Sequence, residues 1–302
     1  GLNDTDDKIL EKVYQADAKL IANKDAIMKQ HLQQIEDLNP AESDYEENLR
    51  AQVDELVKTM PLQNRTALTH YVARRKLVLE LFDKILRKQL EIQKITNRNI
   101  DEKLLHNLIF QQSSDNPEKS DLWLINEDFI YFRGKSEGQL GQIEIDGQKI
   151  FKEDFTINEE EYIKSLGENR LKKKPDILLF PSEGKCIIIE FKNPEVNVGL
   201  HLNQINRYAS LIRNFSINDL QIDTFYGYLI GEGIIPQEVR SFDGDFKESY
   251  KFDYLFRPSK TIPGESNRSD GSLYTEVIKY TTLLERAILR NNIFINKLTT
   301  NY

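Results

Sequence analysis

The sequence predicts an α/β domain preceded by an α-helical region, and three observations carry that expectation. Apolar residues recur at helical spacing from residue 4 to about residue 94, and beyond Thr96-Asn97-Arg98-Asn99 the chain changes to short apolar runs and turns. Two of those runs, Pro175-Asp176-Ile177-Leu178-Leu179-Phe180 and Cys186-Ile187-Ile188-Ile189-Glu190-Phe191-Lys192, have strand character. The division gives a helical association region over residues 1–97 and a second domain over 98–302, about two domains' worth of a 302-residue chain.

In the first region Ile9, Leu10, Val13, Leu20, Ile27, His31 and Ile35 lie at helical spacing until Asn39-Pro40 ends the run. A second series passes through Leu49, Val53, Leu56 and Val57 to Met60-Pro61. The third helix is long, from Ala67 to about Ile95. Its apolar stripe is Val72, Val78, Leu79, Leu81, Phe82, Ile85, Leu86 and Leu90, and Arg74, Arg75, Lys76, Lys84, Arg87 and Lys88 lie mostly off it, as a solvated face or a DNA contact. Such a stripe suits either a homodimer or packing against the second domain.

The second domain opens with a short helix over 101–110. Strand-like runs follow at Leu122-Trp123-Leu124-Ile125 and Phe129-Ile130-Tyr131-Phe132, joined by Asn126-Glu127-Asp128. Residues 134–170 are polar and read as an insertion with a small hairpin at Asp146-Gly147. After the two motif strands come a helix through Gln204, Tyr208 and Leu211, a strand over 224–230, a candidate strand over 250–256, a loop over 258–271, and a terminal strand that runs into a helix over 273–298.

Strand alternation puts Glu190 and Lys192 on one face and sends Phe191 to the other, towards a core that the isoleucines announce. Pro181-Ser182-Glu183-Gly184-Lys185 has the composition of a hairpin loop, which carries Asp176, 14 positions earlier (190 − 176), beside Glu190. These residue types fit metal-dependent phosphodiester hydrolysis. Asp176 and Glu190 offer the hard oxygens that Mg²⁺ or Mn²⁺ takes, and the Lys192 ammonium orients water or steadies charge on the phosphate. The plainer reading is an edge strand with an exposed Glu–Lys pair. Burying both after three isoleucines would be costly unless they serve each other or a cation, which favours the site.

Composition limits the alternatives. The chain is 39% apolar and 30% charged, with a net charge of −8. This balance does not advertise nucleic-acid binding, so any DNA contact must be local. One cysteine, Cys186, excludes an internal disulfide and reads as a small core residue, and nothing supports a structural zinc site. There is no apolar run of about 18 residues and no signal-peptide pattern after Gly1, so the expectation is a cytoplasmic protein without a membrane partner. The initial Gly in place of Met suggests a cloning remnant or an excised piece of a larger protein.

Asp176, Glu190 and Lys192, with the order helix, strands, Pro-Asp strand, Glu-Phe-Lys strand and helix, resemble the signature of the PD-(D/E)XK nuclease superfamily over roughly residues 101–298. The resemblance implies a restriction-endonuclease-like core, a mixed central sheet flanked by helices. It implies an acidic residue on the first core helix, for which Glu102 is the candidate and Asp101 the runner-up, and the backbone carbonyl of Phe191 as a further metal ligand. It also matches Gln204-Ile205-Asn206-Arg207-Tyr208, whose i, i+4 spacing puts Gln204 and Tyr208 on one helix face to bond the site or a phosphate. Arg170, Lys172, Lys173 and Lys174 just before Pro175, with Arg207, would then hold the DNA backbone.

A narrower likeness involves His106-Asn107-Leu108-Ile109-Phe110, Leu122-Trp123-Leu124-Ile125, residues 274–280 and Arg290-Asn291. It is to the C-terminal region of bacterial proteins that join a GHKL-type ATPase to such a nuclease, including MORC-like relatives in restriction-type systems. The ATPase would then lie upstream or be a separate partner. His106 and His201 are candidates for supporting the site, each with an ordinary structural role as the alternative. The implied activity is a Mg²⁺- or Mn²⁺-dependent DNA endonuclease in a restriction or defence system. A catalytically inactive nucleic-acid-binding or scaffold module is the rival.

Overall fold

The computed structural model describes residues 62–299 except 96–99, 146, 167–169, 182–183 and 218–219, together with scattered positions between 15 and 55. Those scattered positions are helical apart from turns at Asp37 and Asp44, and the expected stops at Asn39-Pro40 and Met60-Pro61 lie outside the described residues, as does the boundary at Thr96-Asn97-Arg98-Asn99. Two compact units form, Gly1–Arg74 with Tyr302, and Arg75–Asn301. The second includes residues 75–95, which the sequence reading places in the helical region. Among the described residues no helix is long and apolar enough to cross a membrane.

The second unit is built on a mixed sheet of seven strands. β1 (Arg133–Ser136), β4 (Ile177–Phe180) and β5 (Lys185–Phe191) pair antiparallel; β5, β6 (Thr224–Gly231) and β9 (Gly271–Lys279) pair parallel; β8 (Tyr254–Ile262) and β7 (Lys247–Glu248) close the other side antiparallel. A separate hairpin of β2 (Glu144–Ile145) and β3 (Gln148–Lys149) sits where Asp146-Gly147 predicts it.

Helices cover both faces. α1 (Leu62–Leu86) from Val78 onward, α3 (Ile100–Ile109) and α7 (Tyr280–Thr299) share a core with Ile187, Ile189 and Phe191 of β5. α5 (Leu202–Phe215) shares the other with Cys186 and Ile188. The three isoleucines are therefore split between two cores, and both faces of β4 and β5 are buried, as suits a near-continuous apolar run at the centre of a sheet. α2 (Glu91–Ile95), α4 (Ile157–Ser165) and α6 (Pro236–Phe242) complete the helices of this unit.

Several local expectations are corrected. The long third helix is broken at Lys88, which takes a left-handed φ of 55°. Gln89 N–H donates to the Lys84 carbonyl and Lys88 N–H to that of Ile85, a Schellman end made without glycine. The runs at 122–125 and 129–132 are 3-10 turns, Leu122–Leu124 and Glu127–Tyr131, because the Asn126 side chain accepts from Asp128 N–H and coils the chain, while Leu122, Trp123, Leu124 and Phe129 still enter the core. The polar stretch from 134 holds most of β1 and all of α4, and the expected loop at 258 is strand as far as Ile262. Pro258 fits there because the β8–β9 register shifts between Arg257 and Lys260.

The stripe offered for dimerisation is largely used within the chain. Of the stripe, Val78, Leu79, Phe82 and Ile85 are core residues and Leu81 remains exposed, as does Leu77, which is not part of it. Nor is Arg75 on a solvated face: it is 7% exposed, donates to Glu127 at 2.7 and 3.0 Å and to Asn291 Oδ1 at 3.1 Å, and lies 4.4 Å from the Trp123 ring centre. Arg75→Ala is expected to lower unfolding stability by about 1–2 kcal/mol in denaturant titrations, since Glu127 keeps access to water and moderates the loss.

Candidate catalytic site

Asp176 and Glu190 meet where the β4–β5 ladder ends. The last backbone pair there is Ile177 with Ile189, so the next step sets Asp176 opposite Glu190. Each acid then caps the other strand. Phe191 N–H donates to Asp176 Oδ2 at 2.6 Å, and Asp176 N–H donates to Glu190 Oε1 at 3.3 Å. Carboxylates replace backbone carbonyls at a frayed end, which holds them without a side-chain hinge. Gly184, at φ +69°, makes the hairpin turn that sets this register.

Lys192 follows the strand, its N–H donating to the Ile230 carbonyl at 2.8 Å. Its ammonium donates to Glu190 Oε2 at 3.1 Å and is 13% exposed, against 1% for the Glu190 side chain. Gln204 reaches the same oxygen from α5 at 2.6 Å, and Tyr208 OH accepts from Gln204 at 3.4 Å. α5 comes this close because β6 carries Gly227, where an added Cβ would stand 2.6 Å from Ile205. Tyr208 is 2% exposed, so it backs Gln204 and offers nothing to a phosphate outside.

Glu102 joins the group from the first turn of α3. Its carboxylate accepts from Asn193 N–H and feels the Lys192 charge, while burial raises its pKa. Asp101 turns away, accepting from Gln93 at 2.9 Å. His106, one turn after Glu102, sits 2.9 Å from Ser136 Oγ and bonds the Asp176 backbone, and burial pulls its pKa to about 4. It is a neutral support for Asp176. His201 is partly buried near Lys192, its pKa lowered by burial and then by that charge. The side chain of Arg170 lies outside the described residues; Lys172, Lys173 and Lys174 are exposed beside Pro175, and Arg207 is exposed on α5.

Sequence reasoning missed two neighbours. Glu137, just past β1, takes the Asp176 carbonyl through its N–H at 2.9 Å, and its charge helps raise the Asp176 carboxyl. Tyr280, fully buried at the start of α7, donates to the Lys192 carbonyl at 3.0 Å and stacks on Phe191, with Phe82 of α1 edge-on at 6.3 Å. Neither has a local signal, since both reach the site only through sheet order.

Burial raises the carboxyl pKa of Asp176, helped by Glu102 and Glu137, and raises that of Glu190, helped by Asp176; Lys192 opposes both. The pair is short of positive charge. No three His, Cys, Asp or Glu side chains among the described residues gather as a ligand set. Mg²⁺ needs no such set, because it keeps several waters and binds through one or two carboxylates, and two electron-rich carboxylates beside the Phe191–Lys192 peptide fit that requirement. Of the residues of the narrower likeness, His106 and Tyr280 reach the site, while others have structural work: Ile109, Phe110 and 122–125 are core, and Arg290 donates to the carbonyls of Trp123 and Leu124 at 2.9 and 2.6 Å. Comparison with protein-family models, characterised proteins and solved structures finds no match for this chain.

Proposed function

We propose that the chain is a Mg²⁺- or Mn²⁺-dependent DNA endonuclease with a restriction-endonuclease-like core. The observation that carries this reading is the convergence of Asp176, Glu190 and Lys192 at one strand end, with both carboxyl pKa values raised. Asp176, Glu190 and the Phe191 carbonyl would hold the cation, with Glu102 beside them. When bound, it withdraws charge from the phosphoryl oxygens and makes water acidic enough to attack. Lys192 orients that water or neutralises charge on the phosphate as the bond to the leaving oxygen breaks. Gln204, held by Tyr208, fixes Glu190, the Lys192 N–H bond to the Ile230 carbonyl fixes the Phe191–Lys192 peptide, and Tyr280 fixes the Lys192–Asn193 peptide that follows. Lys172, Lys173, Lys174 and Arg207, with Arg170, position the DNA backbone.

Incubation with supercoiled and linear DNA under Mg²⁺, Mn²⁺ or chelator tests the reading: cleavage with either cation, lost with chelator and in Asp176→Asn, is expected. DNA binding without cutting under any divalent cation would move the assignment to the inactive binding module. Self-association is a separate proposal, because one site cuts one strand and two held together cut both. With most of the stripe buried, Leu81 and the exposed Leu77 one turn before it, outside the stripe, are the surface left for it. Light scattering should show a dimer at tens of micromolar that Leu77→Glu with Leu81→Glu dissociates; a parent of strictly monomeric mass removes this route.

A further inference from the structure

Apolar side chains crowd one side of the carboxylate site. The 3-10 turn Val198–His201 leads into α5, and its Leu200 is 65% exposed. Phe242, at the end of α6, is 58% exposed, and its ring lies against Gly199, 3.7 Å from where a Cβ there would stand. Val196 and Ile235 are exposed as well, next to Asn197 and two residues after Gly233, which pair in a parallel bridge. Exposed apolar residues scattered singly need no account, but a ledge of them marks a surface that meets something.

The ledge is stiff and close to the chemistry. Val198 N–H donates to the Gly233 carbonyl at 3.0 Å and Gly199 N–H to Asn197 Oδ1 at 3.0 Å, while the Asn197 amide donates to Glu238 of α6. Val198 packs on Gly231, where an added Cβ would stand 2.4 Å from Val198 Cγ2 and 3.4 Å from Lys192 Cβ. His201 is within reach of the Lys192 charge, and Gln204, one turn on, bonds Glu190 at 2.6 Å.

Charge decides what sits there. Leu200, Asn203 and Arg207, three and four residues apart, form one exposed edge of the turn and α5 beside Gln204. The Arg207 side chain makes no ion pair or hydrogen bond with a described residue. From Val196 to Asn218 the sequence has no Asp or Glu, in a chain with 49 of them, and Glu238 is occupied by Asn197. A duplex presents apolar base faces between two rows of anions, which matches an apolar tip with a cation along the same acid-free edge.

We propose that Leu200 and Phe242 form a wedge that enters the duplex beside the bond to be cut and opens a base step there. The preferred substrate is then DNA with a weakly stacked step, such as a mismatch, a bulge or a flexible pyrimidine–purine step. Arg207 holds the flanking phosphate. This role rests on the reading of the site as one that meets DNA, and it needs no cut.

The full chain, in chelator, is titrated with two duplexes of one sequence, one fully paired and one with a central mismatch, each carrying a fluorescent aminopurine at that step. The mismatched duplex should bind about tenfold more tightly, because a loosened step costs less to open. The aminopurine, dark when stacked, should brighten on binding. Leu200→Ser with Phe242→Ser should remove both the preference and the brightening, and thermal melting establishes that this variant keeps its fold. Arg207→Ala should weaken both duplexes alike and keep the brightening. Equal binding of the two duplexes without brightening overturns the wedge, as does a double variant that retains preference and brightening. Cleavage under Mg²⁺ is scored separately. A parent that cuts despite either result loses only the wedge, one that brightens the aminopurine but cuts under no divalent cation loses only the nuclease reading, and one that binds no duplex loses both.

Discussion

Replacing Lys192 with alanine should slow DNA cleavage by about 10²-fold or more while leaving DNA affinity nearly unchanged. The ammonium is almost enclosed and sits between Glu190, at 3.1 Å, and the charges of Asp176 and Glu102. An enclosed charge acts on the few atoms beside it, so its loss is felt in the transition state and little in the long contact with a phosphate backbone. Lys172, Lys173 and Lys174 are the opposite case. They are exposed, and changing all three to alanine should weaken binding and reduce the slope of log affinity against log salt by up to about three, with turnover of saturated enzyme kept. Single-turnover rates and salt titrations of the two proteins separate the roles. A Lys192→Ala protein that cuts like its parent would refute the function assigned to that ammonium.

The site was legible in sequence where periodicity and register did the work. Two residues per pleat put Glu190 and Lys192 together, and a hairpin loop with Gly184 set Asp176 across from Glu190. The i, i+4 spacing did the same for Gln204 and Tyr208, although burial of Tyr208 could not be read from spacing. What stayed hidden came from contacts with no local signature. Lys88 turns the chain through a left-handed conformation that favours glycine, and nothing in Leu86-Arg87-Lys88-Gln89 announces it. The runs at 122–125 and 129–132 are too short for a period to separate strand from buried turn, and Asn126 decides the matter through one hydrogen bond. β1 is polar because it forms one edge of the sheet, and Tyr280 lies 88 residues from the carbonyl it holds.

The carboxylate pair also makes stability depend on pH in an unusual direction. Folding raises the carboxyl pKa of both Asp176 and Glu190, through burial first and neighbouring acids second, so the folded chain holds more protons than the unfolded one. Stability from this source is complete below the ordinary carboxyl range near pH 4 and is lost as the pH climbs through the raised folded values. His106 works the other way. Its pKa falls to about 4, so its contribution grows as the pH rises and is complete above about 6.5. The alkaline side of neutrality therefore isolates the acids. Between pH 6.5 and 9, in chelator, unfolding stability should fall by on the order of 1–3 kcal/mol, given about 1.4 kcal/mol for each pH unit of displacement. Mg²⁺ should restore it. Glu190→Gln should flatten the curve and leave the protein at least as stable as its parent at pH 8.5, because the amide removes a buried charge while Lys192 keeps Asp176 and Glu102 as counterions. The same substitution should abolish cleavage, so that one change strengthens the fold and disables the site. Denaturant titrations across that range decide the matter: a flat parent curve, or a Glu190→Gln protein less stable at pH 8.5, would mean that Lys192 already neutralises the pair and that the site has no need of a cation.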